Sequence, residues 1–153
     1  RNDDELSSYL LKLLNKEAGD KSGLIYGMGH AVYTKSDPRA VLLKQFAREQ
    51  AYEKGFGDDF DLLESIERLT PAIFRAYKGL NQEMCANVDL YSGLVYRMLG
   101  IPTEMYPPLF TIARVTGWCA HRMEEYMTAG KIIRPAYMGV QPDDDYIPLT
   151  YRK

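Results

Sequence analysis

Residues 36–55 read SDPRAVLLKQFAREQAYEKG, a stretch typical of one complete helix with a defined start and end. Asp37 is a residue type that caps helix N-termini, and Pro38 suits the first helical position because the N–H it lacks would have no partner there. Four apolar side chains at helical spacing predict the buried face: Val41, Leu42, Phe46 and Ala47. Gly55 follows as a helix-ending residue, so we expect a helix from Pro38 to about Lys54.

Apolar residues recur at helical spacing along most of the chain, which predicts an all-α fold. We expect further helices over residues 3–18, 60–73, 89–99 and 107–129, with Gly19 ending the first of them. Pro71 is expected to break or kink the helix that contains it, because proline removes a backbone hydrogen bond. Residues 131–153 contain three prolines and an acidic run, so we expect an irregular, extended tail.

Composition and charge exclude some classes of partner. The 153 residues are 46% hydrophobic and 26% charged, which is ordinary for a globular domain. The formal net charge of −2 lacks the basic surplus of nucleic-acid-binding proteins, so no nucleic-acid partner is expected. No run approaches the roughly 18 apolar residues of a membrane span. The two cysteines, Cys85 and Cys119, lie in apolar helical contexts and predict buried free thiols in a reducing compartment.

Single residues give weak functional signals. His30 follows Gly27 and Gly29, which would allow positive φ angles or close approach of a ligand, but the third glycine of a dinucleotide fingerprint is missing. Arg39 stands in a first helical turn, where an anion is favoured, although an arginine there is more often simply exposed. A lone histidine is likewise more often packed or solvated than functional. No spacing of His, Cys, Asp and Glu predicts a metal site.

Asn87 and Asp89 stand where a helix is expected to begin, and both are preferred caps. The N–H groups at that position also favour an ionised carboxylate, which a general base requires, so capping and catalysis are compatible. Arg114 interrupts an apolar helix and either reaches solvent, pairs with a glutamate or faces an anionic ligand. Arg134 lies in an extended segment, where solvation is the ordinary outcome.

Six motifs taken in order resemble the citrate synthase family. They are Gly27-Met-Gly-His-Ala-Val-Tyr33, Asp37-Pro-Arg-Ala40, Asn87-Val-Asp-Leu-Tyr-Ser-Gly93, Gly100-Ile-Pro-Thr103, Ala113-Arg-Val-Thr-Gly-Trp118 with Ala120-His121, and Ile133-Arg-Pro135. The resemblance implies the helical small domain of the citrate synthase fold over residues 1–103. Residues 104–153 would be the C-terminal helix and extended tail that normally belong to the large domain. The N-terminal large domain would be missing, and with Arg1 in place of an initiating methionine we expect a fragment or processed product.

The family condenses acetyl-CoA with oxaloacetate in a Claisen-type reaction of the tricarboxylic acid cycle and then hydrolyses the thioester to citrate and CoA. By position, the resemblance makes Asp89 the base that removes a proton from the acetyl methyl group. His30 would donate to the oxaloacetate carbonyl. Arg39 and Arg114 would hold the oxaloacetate carboxylates, and Arg134 would reach into the active site of the partner subunit, which implies a homodimer.

The resemblance also implies a CoA site, with acetyl-CoA as cosubstrate and no permanently bound cofactor. The loop against the CoA adenine would be formed by Leu24, Ile25, Tyr26, Gly27 and Gly29, with Asn87 near the pantetheine arm. The family often has a basic residue four places after the histidine, and this chain has Thr34 there. The phosphate contact would then either pass to Lys35 or be weaker.

One part of the family's site is absent from this sequence. The family has a further histidine, upstream of the glycine motif, that stabilises the forming enolate oxygen, and residues 1–29 contain no histidine. We expect a citrate synthase whose isolated C-terminal part, this chain, is inactive. Two alternatives stay open: a 2-methylcitrate synthase that uses propionyl-CoA, and a non-catalytic helical CoA-binding or interaction module. The expected location is the bacterial-type cytoplasm, with the mitochondrial matrix left open.

Overall fold

The computed structural model describes residues 2–79, 83–128 and 149–151. Over these ranges the chain forms five α-helices: α1 (Asp3–Leu14), α2 (Pro38–Glu53), α3 (Gly57–Lys78), α4 (Asp89–Met98) and α5 (Tyr106–Thr128). Short 3₁₀ turns cover Thr103–Met105 and Leu149–Tyr151, and one antiparallel bridge joins Met28 to Ala86. The all-α prediction is confirmed. In the described part of the chain, no helix is both long and apolar enough to cross a membrane.

The chain divides into two compact units, residues 1–111 and residues 112–153. In the first unit α3 packs against α1, α2 and α4, and α2 packs against α4. The second unit contains the remainder of α5 and the short turn at Leu149–Tyr151. The domain boundary expected after residue 103 refers to the domains of the whole family fold, and it stays a prediction. Most of the expected extended tail lies outside the described residues.

The end of α1 differs from the prediction. The helix stops at Leu14 rather than Ala18, because Lys16 takes a left-handed conformation with φ of 65°. The backbone N–H of Lys16 bonds the carbonyl of Leu13, and that of Glu17 bonds the carbonyl of Lys12, which together form a Schellman motif. The hydroxyl of Tyr77 on α3 then donates to the carbonyl of Leu14 at 3.1 Å. A contact with another helix therefore satisfies a carbonyl at the helix end.

The bounds predicted for α2 are confirmed to within a residue, but its predicted buried face is wrong. Val41, Leu42 and Phe46 are 47, 55 and 63% exposed, and the buried side chains are Ala40, Ala47 and Ala51. Of the predicted face, Ala47 alone is buried. The small alanines leave room for large side chains from neighbouring helices, because a close-packed core needs complementary volumes. Phe60 of α3 and Tyr91 of α4 are fully buried there, with ring centroids 5.8 Å apart.

Two further expectations are corrected. The helix that contains Pro71 is not broken there, since α3 continues to Lys78 and is held by its packing against three other helices. Cys85 is buried as predicted, whereas Cys119 is exposed because it lies on α5, where the structure buries no side chain.

At the end of α4, Gly100 stops the helix as predicted, with φ of 69°.

Candidate active site

Asp37 holds Arg39 in one orientation at the start of α2. The Asp37 side chain is buried and caps the helix as predicted, accepting a hydrogen bond from the Arg39 backbone N–H at 3.0 Å. It also accepts bonds from Nε of Arg39 at 3.0 Å and from Nη2 at 2.8 Å. The hydrogen bond from the Arg39 side chain lowers the pKa of Asp37 and raises the pKa of Arg39. The guanidinium is therefore fixed by its own helix cap, and its remaining N–H groups stay available.

His30 presents a donor beside this guanidinium. Its Nδ1 accepts hydrogen bonds from the backbone N–H groups of Val32 at 3.0 Å and Tyr33 at 3.2 Å. Because Nδ1 is an acceptor, a neutral imidazole carries its proton on Nε2. Nε2 lies 3.2 Å from Nη2 of Arg39, and both atoms then bear N–H groups. Two donors this close together suit a carbonyl or carboxylate oxygen as ligand.

Tyr33 packs against both members of this pair. Its ring centroid lies 4.9 Å from that of His30 and 5.4 Å from Cζ of Arg39, close enough for a cation–π interaction. The Tyr33 carbonyl accepts a bond from Sγ of Cys85 at 3.4 Å. The sequence alone indicated neither the packing of Tyr33 against His30 and Arg39 nor the bonds from the Arg39 side chain to Asp37. The spacing of Asp37, Pro38 and Arg39 across a helix start is a signal for the bonds from the Arg39 side chain to Asp37. No local pattern in the sequence indicates the packing of Tyr33.

The glycine loop, residues 24–29, is joined to the start of α4. Asn87 donates its backbone N–H to the Gly27 carbonyl at 2.9 Å, and its Nδ2 donates to the Gly29 carbonyl at 2.8 Å. Its Oδ1 accepts from the backbone N–H of Asp89 at 2.9 Å, although the N-cap position of α4 is Val88, so neither of the two expected residues is the helix cap. Gly27 has φ of 83°, and a Cβ there would lie 2.7 Å from Cα of Leu90. The missing side chain at Gly27 thus allows α4 to approach closely.

Asp89 is exposed at the first position of α4 and borders a groove of about 890 Å³ between α1, α3 and the glycine loop. Four of the predicted CoA-loop residues line the same groove: Leu24, Ile25, Tyr26 and Gly27. The pKa of Arg39 is raised mainly by its hydrogen bond to Asp37 and additionally by the charge of Asp89. Asp89 therefore lies within electrostatic reach of Arg39 and also borders the groove.

Tyr26 is tied back to the connector that follows α1. Its hydroxyl donates to Oδ2 of Asp20 at 2.6 Å, and this bond is the main reason that the pKa of Asp20 is lowered to about 2. The Tyr26 side chain is otherwise 68% exposed. The ring is therefore held at the edge of the groove by its hydroxyl, with a face open to a ligand.

Among the remaining predicted residues, Lys35 does not line this groove. Lys35 borders two smaller cavities, of about 350 and 210 Å³, together with Met84. Arg114 is exposed on α5 in the second unit, and Arg134 lies outside the described residues. Their roles stay predictions. Among the described residues, no group of three or more His, Cys, Asp and Glu side chains is arranged to hold a metal ion.

Replacing Asp37 with alanine is expected to lower the free energy of unfolding by about 2 kcal/mol, because a helix cap and the bonds to Arg39 are lost together. Asp37→Asn keeps a capping oxygen and should lose less. Urea unfolding of the 153-residue chain at neutral pH measures both changes. Equal losses in the two variants would show that the ionic pairing with Arg39, and not the cap that Asp37→Asn retains, matters for stability.

The Asp37→Asn variant also tests how the contribution of Asp37 to stability depends on pH. The folded pKa of Asp37 lies below its ordinary 3.8, so ionised Asp37 stabilises the fold above that value. This contribution is lost as the pH falls through the lower, folded pKa. The difference in unfolding free energy between wild type and Asp37→Asn should therefore be constant above about pH 5 and shrink in more acidic solution. A difference that grows on acidification would contradict this pairing.

Comparisons with known proteins agree with the motifs. The family model described as citrate synthase, C-terminal domain, matches residues 1–136. The citrate synthase of a Synechocystis strain is 38% identical over 129 residues, which are 84% of this chain and 31% of that protein. The 2-methylcitrate synthase of Shewanella oneidensis is 37% identical over 130 residues, which are 84% of this chain and 32% of that protein. The chain thus spans about a third of the length of these relatives.

Solved structures show the same likeness. The citrate synthase from Thermotoga maritima superposes with a TM-score of 0.65 at 33% identity, over 99% of this chain and 38% of that one. That of Thermoplasma acidophilum, solved as a ternary complex with carboxymethyl coenzyme A and oxaloacetate, has a TM-score of 0.64 at 29% identity, over 98% of this chain and 40% of that one. Motifs, family model and fold agree, and the chain belongs to the citrate synthase family.

Proposed function

We propose that this chain supplies part of the active site of an enzyme that condenses acetyl-CoA with oxaloacetate. The observation that carries the proposal is the pair formed by Nε2 of His30 and Nη2 of Arg39, two donors 3.2 Å apart, with the charge of Asp89 acting on Arg39. A ligand with a carbonyl and two carboxylates matches such a pair, and oxaloacetate has these groups. The ternary complex of the Thermoplasma relative contains that ligand.

In the proposed reaction, Asp89 removes a proton from the methyl group of acetyl-CoA, and the resulting enolate carbon attacks the carbonyl carbon of oxaloacetate. His30 donates its Nε2 proton to the carbonyl oxygen as negative charge develops there, which is the point at which such a donor lowers the barrier. Arg39 binds an adjacent carboxylate in the orientation that Asp37 and Tyr33 give it. Water then hydrolyses the thioester, releasing citrate and the CoA thiol.

We assign the remaining contacts by family position. The glycine loop holds the adenine of CoA, Lys35 its phosphates, and Arg114 the second oxaloacetate carboxylate. Arg134 serves the active site of a partner subunit, so the functional form is a homodimer, and we place it in the cytoplasm. By family position, residues 104–153 belong to the large domain of the complete protein.

The isolated chain is expected to be inactive. A carboxylate base deprotonates a thioester only if the enolate oxygen is stabilised at the same time, and residues 1–29 contain no histidine that could do this. With acetyl-CoA and oxaloacetate, the 153-residue chain should release no thiol, while the full-length protein that contains it should. Thiol release is followed with a chromogenic disulfide reagent. Turnover by the chain alone would show that it needs no upstream histidine.

A second candidate activity is 2-methylcitrate synthesis, because the Shewanella relative is 37% identical and the Synechocystis citrate synthase 38% identical. One extra methylene in an apolar pocket changes kcat/KM by about 10- to 200-fold, enough for a clear preference. The ratio of kcat/KM for acetyl-CoA and propionyl-CoA in the full-length protein decides between them. Binding of CoA without turnover on either thioester would instead favour a non-catalytic CoA-binding module.

A further inference from the structure

We propose that Asn87 is a positioning residue that ties the glycine loop to the base Asp89, so that occupation of the loop by an acyl-CoA and placement of the base are linked. The inference rests on the proposed function and goes beyond it. The family position suggested a contact with the pantetheine arm for Asn87. That contact stays a prediction, and the hydrogen bonds of the Asn87 side chain also join the glycine loop to the start of α4.

The first support is that both polar atoms of the Asn87 amide group are used, and in opposite directions. Nδ2 donates to the Gly29 carbonyl at 2.8 Å, and Oδ1 accepts from the backbone N–H of Asp89 at 2.9 Å. An amide group is planar and rigid, so its two ends move together. A shift of the Gly29 carbonyl is therefore passed to the backbone of Asp89 through one side chain.

The second support is that the backbone on both sides of Ala86 is hydrogen-bonded to the glycine loop. Its N–H bonds the Gly27 carbonyl at 2.9 Å, and the Gly29 N–H bonds the Cys85 carbonyl at 2.8 Å, on either side of the bridge between Met28 and Ala86. Gly27 also lies against Leu90 of α4, with no room for a side chain. The loop and the first turn of α4 thus form one hydrogen-bonded unit. A ligand that orders this loop must also order the start of α4.

The third support is that the described part of the chain contains another asparagine whose Oδ1 accepts from the backbone N–H two residues later. Oδ1 of Asn2 accepts from the backbone N–H of Asp4 at 3.0 Å at the start of α1, which matches the bond from Asp89 to Asn87. Within the described residues, Asn2 has no side-chain bond to a second segment. Loss of either asparagine removes the bond to the backbone N–H two residues later. Loss of Asn87 also removes the bond to the Gly29 carbonyl in the glycine loop. Asn2→Ala is therefore a matched control.

The experiment uses the full-length protein with Asn87→Ala, Asn87→Asp and Asn2→Ala. Asn87→Asp keeps the oxygen that accepts from the Asp89 N–H and removes the N–H group that donates to the Gly29 carbonyl. We measure kcat, KM for oxaloacetate and acetyl-CoA, and hydrogen–deuterium exchange of peptides covering residues 24–30. Asn87→Ala should lower kcat about 10- to 100-fold, the size of effect expected when a reacting group is misplaced by about 1 Å. KM for oxaloacetate should stay within about twofold, because its proposed contacts do not include Asn87.

Exchange at residues 24–30 should become faster in Asn87→Ala and in Asn87→Asp, and it should be unchanged in Asn2→Ala. An unchanged kcat in Asn87→Ala would overturn the positioning role. A lowered kcat with unchanged exchange in both Asn87 variants would overturn the link through Gly29. If the wild-type protein shows no turnover at all, the proposed function fails, and the exchange data still decide whether Asn87 ties the loop to α4.

Discussion

Replacing Asp89 with asparagine in the full-length protein is expected to lower kcat for citrate formation by about 10³-fold, within the range found when a general base is removed. Asparagine has nearly the same shape, so the backbone bond from residue 89 to Oδ1 of Asn87 should persist. The amide cannot accept a proton from the acetyl methyl group. The loss should therefore appear in kcat, with oxaloacetate affinity retained, and steady-state kinetics with both substrates measures it.

Asp58→Asn is the matched control for this variant. Asp58 is also an exposed carboxylate in the first turn of a helix, α3, where its charge interacts with the helix dipole in the same way. Its removal should leave kcat unchanged. If Asp89→Asn and Asp58→Asn both kept full activity, another group would have to be the base. If both lost activity equally, the effect would come from helix-end charge rather than from proton transfer.

Replacing Gly27 with alanine is expected to destabilise the chain by about 3 kcal/mol, as the sum of two effects of comparable size. The first is strain, since Gly27 has φ of 83°, which residues with a Cβ rarely adopt. The second is overlap, since the new Cβ would lie 2.7 Å from Cα of Leu90 and 2.9 Å from its Cβ. Backbone cannot rotate away as a flexible side chain can. Urea unfolding of the 153-residue chain measures the change.

Gly55→Ala separates the two effects. Gly55 has φ of 79°, and a Cβ there would meet nothing within 4 Å, so only the strain remains. We expect a loss of about 1 kcal/mol for this variant. The difference between the two variants then measures the contact between the glycine loop and α4. Equal losses would mean that α4 moves away from Gly27 at little cost.

Some helix ends could be predicted from the sequence and others could not. The start of α2 and the stop of α4 were predicted correctly, because Asp37-Pro38 and Gly100 act through bonds to residues a few positions away. The end of α1 was not, because Lys16 is an ordinary residue that takes a left-handed conformation there. Local chemistry alone does not select such a residue. The bond from Tyr77 to Leu14 contributes, and it joins residues 63 positions apart.

The same distinction applies to the candidate site. The ordered motifs around His30, Arg39 and Asp89 were enough to identify the family, because motif order and spacing are properties of the sequence. The bonds from the Arg39 side chain to Asp37, the packing of Tyr33 and the bridge made by Asn87 were not predicted. They depend on where the backbone places side chains that have several geometrically allowed partners.

By itself, the sequence determined the all-α class, the family and the helix boundaries set by capping residues, since these depend on local periodicity, on nearby residues and on the order of motifs along the chain. The tertiary structure decided which face of α2 is buried. Ala40, Ala47 and Ala51 form that face because Phe60 and Tyr91 need the volume that small residues leave. It also decided that Asn87 bonds Gly29, 58 positions earlier. Hydrogen bonds and packing between distant segments depend on how helices meet, and periodicity along one helix does not contain that information.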